Sequence, residues 1–181
     1  MCTSATTVER TASGRSTDAL VVTPATVAHL AALIDPDRQF ERSFGITVAP
    51  GYLEFQGALQ RSLDQITTGG VDPRWVTHLF IHRDQFALVG LGGFKGPPTD
   101  GAVEIGYGIA PSHRGRGLAT AAAAALVELA RRRGATTVLA HTLAEPNAST
   151  GVLQNLAFIR THQLHDADAG AIWQWELDLT G

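Results

Sequence analysis

Lysine is almost missing from this chain: Lys95 is the only one, against thirteen arginines among 181 residues. The arginines are scattered, so the skew reads as genomic bias and not as a binding surface. Basic residues do not outnumber acidic ones; net charge is −3 and the isoelectric point about 6.1, so no global positive field invites nucleic acid or an anionic membrane. Cysteine is limited to Cys2, which excludes an internal disulfide and points to a reducing compartment. No run of about 18 apolar residues is present, and the start of the chain lacks the apolar core of a secretory signal, so a soluble cytoplasmic protein is expected. Charged residues are few, at 17%, yet hydrophobic residues reach 44%, which excludes a disordered chain. A chain of this length buries roughly 70% of its unfolded surface and needs neither disulfide nor metal to hold a core.

Residues 1–18 are rich in Ser, Thr and Ala without apolar periodicity and are expected to form a flexible tail ahead of a single domain over 19–181. Strands are predicted at 20–22, 75–82, 86–94, 102–109, 136–142, 158–164 and 172–179, each bounded by Pro, Gly or Asp clusters. Helical spacing of apolar residues predicts helices at 25–34, 52–68 and 118–133, and a short one over 147–155. Residues 40–45 read as an irregular stretch with two aromatics. The order β-α-α-β-β-β-α-β-α-β-β implies a mixed α/β (α+β) fold on a mostly antiparallel sheet flanked by helices.

Chemistry concentrates where Gly106-Tyr107-Gly108-Ile109-Ala110-Pro111 leads through Ser112-His113-Arg114-Gly115-Arg116-Gly117 into the Leu118 helix. A helix start offers about four unpaired N–H groups and roughly half a positive charge. Gly115 and Gly117 let backbone approach an anion without a Cβ between, and Arg114 and Arg116 add charge. The alternative is a loop whose glycines only permit a tight turn. A P-loop needs G-x-x-x-x-G-K-[ST], which is absent; a dinucleotide fingerprint fails at Thr120 and lacks an acidic residue near position 138. The pattern R-x-x-G-x-[AG] is met by Arg114, Gly117 and Ala119.

With that pattern, the segment V-E-I-G-Y-G-I-A-P-S-H-R-G-R-G-L-A-T and the later A-H-T-L-A-E-P-N-A-S-T-G-V-L-Q-N-L-A-F resemble the GNAT superfamily of acyl-CoA-dependent N-acetyltransferases, most of all its ribosomal-protein N-terminal acetyltransferase (RimJ/RimL-like) branch. The resemblance implies a sheet splayed between the fourth and fifth strands (102–109 and 136–142), with acetyl-CoA as co-substrate. It implies that backbone N–H groups of Arg114, Gly115, Arg116, Gly117, Leu118, Ala119 and Thr120 hold the pyrophosphate. Main chain at Ile109 and Ala110 would pair with the pantetheine arm, and Asn147 and Ser149 would face the thiol end. Two departures from the family pattern stand out. Ala157-Phe158 replaces Gly-Phe, and Leu153 occupies the position of the tyrosine that reprotonates the thiolate in many members. Asn147 also lies one residue nearer Ser149 than the commonest spacing.

Acetyl transfer to an amine needs a neutral nitrogen, an oxyanion donor and, optionally, an acid for the thiolate. Glu104, in an otherwise apolar strand, is the candidate base; its plain alternative is a rim carboxylate paired with an arginine. By the resemblance, the Ile109 N–H is the oxyanion donor; Ser149 is either a proton donor or a helix N-cap. Deprotonating a lysine near pH 7.5 costs roughly 4 kcal/mol, against less than about 1 for an α-amine. The expected acceptor is therefore a peptide or protein α-amine, an amino acid or a small amine. A catalytically weak CoA-binding sensor is the alternative that Leu153 and Ala157 keep open.

Other residues carry less. His162 and His165 lack further ligands at zinc spacing, so no metal is expected. His141 reads as a structural histidine near the cleft, and Arg131, Arg132 and Arg133 as helix-end cations. Trp173 and Trp175 share one strand face, suited to core packing or a homodimer contact. Phe40, Phe44, Tyr52, Trp75 and Phe94 are candidate walls of the acceptor pocket.

Overall fold

The structure, a computed structural model, describes residues 19–35, 39–51 and 56–181. The expected tail and Tyr52 lie outside these residues. Strands β1 (Leu20–Pro24), β3 (Thr77–His82), β4 (Ala87–Phe94), β5 (Ala102–Ile109), β6 (Thr137–Leu143), β7 (Ile159–Asp166) and β8 (Gly170–Asp178) form one sheet in the order β1-β3-β4-β5-β6-β8-β7. A two-residue strand, β2 (Thr47–Val48), pairs with the start of β4. Only β2·β4 and β5·β6 are parallel; every other pair is antiparallel. This is the expected mixed, mostly antiparallel architecture.

The helices are α1 (Val27–Ile34), α2 (Gln39–Phe44), α3 (Gln56–Thr67), α4 (Leu118–Arg132) and α5 (Ala148–Asn155). The stretch expected to be irregular is α2, a correction with a simple cause. Six residues are too few to show periodicity, but Phe40 and Phe44 are four apart and stack against His29 of α1 at ring separations of 6.0 and 4.4 Å. These aromatics pack α2 on α1. Trp75 likewise packs edge-on against Phe94 at 5.2 Å, beneath the Arg133 guanidinium.

Strand alternation puts α3 and α4 on opposite faces. On β3, the buried Thr77 hydroxyl bonds Ser62 of α3 at 2.8 Å, while its neighbour His78 turns the other way, toward Phe94 and the Arg133 end of α4. The inner face of α4 is largely alanine, with Ala121, Ala122, Ala123, Leu126, Val127 and Ala130 buried. Small side chains let this helix lie close against β5 and β1, and alanine has the best helix propensity.

The parallel pairing of β5 with β6 is short. It runs from Ala102↔Thr137 to Ile105↔Ala140 and then stops, although both strands continue. Beyond that point the two strands part, and the sheet carries a gap open toward the loop that starts α4. These are the fourth and fifth strands of the sequence prediction, counted without β2.

Candidate active site

Three structures converge on the gap. The first is the start of α4. Gly115 and Gly117 take left-handed backbone at φ 73° and 74°, where a Cβ would be strained. Gly117 caps the helix with no side chain, and the first intrahelical bond runs from the Ala121 N–H to the Gly117 carbonyl at 3.0 Å. The N–H groups of Leu118, Ala119 and Thr120 therefore point out of the helix end without main-chain partners. Arg114 is used differently: its own N–H bonds the Pro111 carbonyl at 3.3 Å, and its Nε donates to the Ile109 carbonyl at 3.0 Å. A hydrogen bond between His113 Nε2 and Gln85 Oε1 at 2.9 Å fixes the preceding turn to the β3–β4 connection.

The second is the exposed edge of β5. The Ala110 N–H is taken by Val89 of β4 at 2.8 Å, and its carbonyl accepts from His113 at 2.8 Å. Main-chain groups alternate sides along a strand, so the Ile109 N–H turns away from β4 and into the gap. Of the two residues expected to offer main chain there, Ile109 alone keeps an N–H for it.

The third is the helix across the gap. Asn147, not Ser149, caps α5: its side chain accepts from the Thr150 N–H at 3.1 Å, and the Thr150 hydroxyl donates back to the Asn147 carbonyl at 2.7 Å. Asn147 Nδ2 also donates to the Glu145 carbonyl at 3.2 Å. The Ser149 hydroxyl is thus not spent on capping. Tyr107, which the sequence reading passed over, crosses from β5 to place its hydroxyl 3.5 Å from the Ser149 carbonyl. Burial pushes this phenol's pKa up, so it stays protonated at any ordinary pH. Its signal in the sequence was an aromatic between two glycines on the strand that leads into the loop.

On the α3 face, a cavity of about 470 Å³ lies over β4 and β5, lined among others by Leu59, Arg61, Phe94, Lys95, Gly106 and Gly108. Of the predicted wall residues that are described, Phe94 borders this cavity, although its ring packs on Trp75 and His78, and α3 forms the cavity's other side. Glu104 lies two residues before Gly106 on the same face of β5, and its partner Lys95 lines the cavity. Its Oε1 receives both the Lys95 ammonium and His141 Nδ1, the latter at 2.8 Å. The arginine partner considered for it is replaced by the chain's only lysine, and His141, read as a structural histidine near the cleft, is its second partner.

The arrangement fits an elongated anionic thioester. The open end of α4 suits a diphosphate, the strand edge at Ile109 suits an amide-bearing arm, and the gap joins both to a cavity with a polar edge. Among the described residues, no group of three or more His, Cys, Asp or Glu side chains lies together, and no helix is long and apolar enough to cross a membrane.

Comparison with known proteins agrees. The family profile described as an acetyltransferase (GNAT) domain matches residues 19–159. A search of curated proteins finds no sequence relative. Among solved structures, RimL, a ribosomal-protein alpha-N-acetyltransferase in complex with coenzyme A, superposes with a TM-score of 0.63 at 19% identity, covering 88% of this chain and 94% of that one. YncA, a putative acetyltransferase from Salmonella typhimurium with acetyl-CoA, gives 0.58 at 19% identity over 89% and 94%. A spermidine N-acetyltransferase SpeG chimera from Vibrio cholerae and hSSAT gives 0.65 at 11% identity over 90% and 96%.

Proposed function

The chain belongs to the GNAT acetyltransferase family and is an acetyl-CoA-dependent N-acetyltransferase, and we propose that its acceptor is a weakly basic primary amine: a peptide or protein α-amine, an amino acid or a small amine. The observation that carries this reading is the gap beyond Ile105↔Ala140, which links the open start of α4 to the cavity under α3. In this reading the N–H groups of Leu118, Ala119 and Thr120 hold the pyrophosphate, with Gly115 and Gly117 leaving room and Arg114 and Arg116 adding charge. The Ile109 N–H lies along the pantetheine arm and polarises the thioester carbonyl. Asn147 orders the first turn of α5 at the thiol end, and Ser149 supplies a hydroxyl for the departing sulfur.

The amine attacks the thioester carbon directly from the cavity side, and its proton leaves toward the Glu104–His141 pair. An α-amine is already substantially neutral near pH 7.5, so a modest base suffices. Among the described residues, the cavity lining includes the cations Arg61 and Lys95, with Lys95 paired to the Glu104 carboxylate. A homodimer finds support in β7, one of the two edge strands, whose eight residues are all exposed; sedimentation velocity reads it directly.

One observation favours a second reading, a catalytically weak CoA-binding sensor: Leu153, at the family's tyrosine position, is buried, 1% exposed. Calorimetric titration with acetyl-CoA, and with NAD as control, followed by a thiol-release assay over an amine panel, separates the two. Binding with turnover on α-amines supports the enzyme; binding without turnover on any amine supports the sensor; efficient lysine acetylation without α-amine activity overturns the acceptor class.

A further inference from the structure

We propose that His141 is the group that takes the acceptor's proton, through Nε2, and that Glu104 is a positioning residue acting through it. The inference rests on the acetyltransferase reading above and deepens it. Its basis is where His141 stands. Ile105↔Ala140 is the last pair joining β5 to β6, so His141 and Gly106 are the first residues past the point where the strands part. Glu104 pairs in register with Leu139, and His141, two residues on, shares that face of the sheet. Gly106 lines the cavity. The imidazole is thereby set at the apex of the gap, on the cavity's side, where amine and thioester have to meet.

The division of labour follows from which lone pairs are occupied. Oε1 of Glu104 already receives two donors, the Lys95 ammonium and His141 Nδ1. With Nδ1–H held by a carboxylate at 2.8 Å, the neutral ring carries its lone pair on Nε2, and among the described residues Nε2 has no hydrogen-bond partner. A carboxylate that fixes the tautomer and orientation of a histidine base is a general solution to proton transfer near neutral pH. The charged and polar groups around the ring are few. Lys95 and Glu104 are to one side. On β8, Gln174 stands opposite His141 and bonds Glu176 at 2.7 Å; His162 of β7 lies 3.9 Å from Glu176, and Arg61 of α3 stands across the cavity. In the step itself, the amine nitrogen bonds to the acetyl carbon and the carbon–sulfur bond breaks. One N–H proton passes to His141 Nε2, and the sulfur leaves as thiolate to be protonated by solvent or Ser149.

The test combines spectroscopy on the free protein with kinetics. Nitrogen-15 NMR of the histidine rings should show His141 of the wild type as the Nδ1–H tautomer at neutral pH, and a tautomer mixture in Glu104→Gln. His141→Gln should lower kcat about 100-fold, leave acetyl-CoA affinity within twofold, and remove the acidic limb of the kcat/KM profile. Glu104→Gln should lower kcat about tenfold and keep that limb, and imidazole in the buffer should restore part of the rate to His141→Ala. An active wild type whose acidic limb survives in His141→Gln but vanishes in Glu104→Gln would overturn the assignment and make Glu104 the base. A wild type that transfers acetyl to no amine would overturn the acetyltransferase reading and this inference with it.

Discussion

Arg114 Nε donates to the main-chain carbonyl of Ile109 at 3.0 Å, tying the turn before α4 to the last residue of β5. One side chain thus holds together the two halves of the proposed acetyl-CoA site, the turn before α4 and the strand edge. A hydrogen bond from an ionised donor is worth about 1.5–3 kcal/mol when its removal leaves the partner unsatisfied. Arg114→Ala should therefore weaken acetyl-CoA binding by about tenfold or more, and Arg114→Lys, which lacks the Nε donor, should not restore it. Calorimetry on both variants checks this; full affinity in Arg114→Ala would mean the turn keeps its shape without the tie.

Gly117 at φ 74° is the N-cap of α4, at the start of the proposed diphosphate site. Any other residue at this φ costs roughly 1–2 kcal/mol, least for asparagine. Gly117→Asn should lower stability slightly and weaken acetyl-CoA binding without abolishing it. Gly117→Glu carries comparable backbone strain but adds a carboxylate where the anion belongs, and it should bind no acetyl-CoA measurably. Equal affinities in the two variants would remove the helix start from the site.

Ala157 explains one of the departures from the family pattern. It sits at φ 62°, just past the C-terminal end of α5, and its N–H bonds the Gln154 carbonyl at 3.0 Å. This is the position after a helix where glycine is strongly favoured. Ala157→Gly should raise stability by about 1 kcal/mol, since relief of the left-handed strain exceeds the added chain entropy of glycine. Urea denaturation would show a higher midpoint at unchanged slope; a lower midpoint would mean that the alanine methyl makes packing contacts that outweigh the strain.

Much of this architecture was legible because the chain is punctuated. Residues 102–109 were bounded by a Gly-Pro-Pro-Thr-Asp-Gly breaker and by Pro111, and β5 spans those residues. The alanine-rich run ending at Gly134 gave α4 to within one residue. What stayed hidden was short or distant. Two-residue β2 is set by pairing with β4, which no local pattern encodes. Glu104 and His141 are 37 residues apart, and only the β5–α4–β6 crossover makes them neighbours. The cavity over β4 and β5 takes Leu59, Ser62 and Arg61 from α3, residues that read in the sequence as an ordinary amphipathic helix.

His78 carries the clearest pH dependence of stability. Its ring is fully buried, Nδ1 bonds the Val76 carbonyl at 3.0 Å, and Nε2 has no partner. Burial, and then the Arg133 charge, hold its pKa down to about 4 against an ordinary 6.5. The folded protein therefore refuses a proton that the unfolded chain accepts between these values, and the unfolded state gains as pH falls. The stability tied to a neutral His78 is complete above about pH 6.5 and is lost progressively as pH falls from 6.5 toward 4, by about 3 kcal/mol in all. Asp72, Asp166 and Asp178, held below the ordinary carboxylate range by their hydrogen bonds, withdraw their contributions only as pH falls below about 4, so the windows separate. His78→Leu keeps an apolar ring-sized group against Phe94, and the Val76 carbonyl retains its bond from the Phe94 N–H. Urea denaturation at pH 7.5, 6 and 4.5 should show stability falling across that range in the wild type and clearly less in the variant, where His29 and His113, also held low chiefly by burial, keep a smaller slope; parallel losses in both would assign the acid sensitivity to another group.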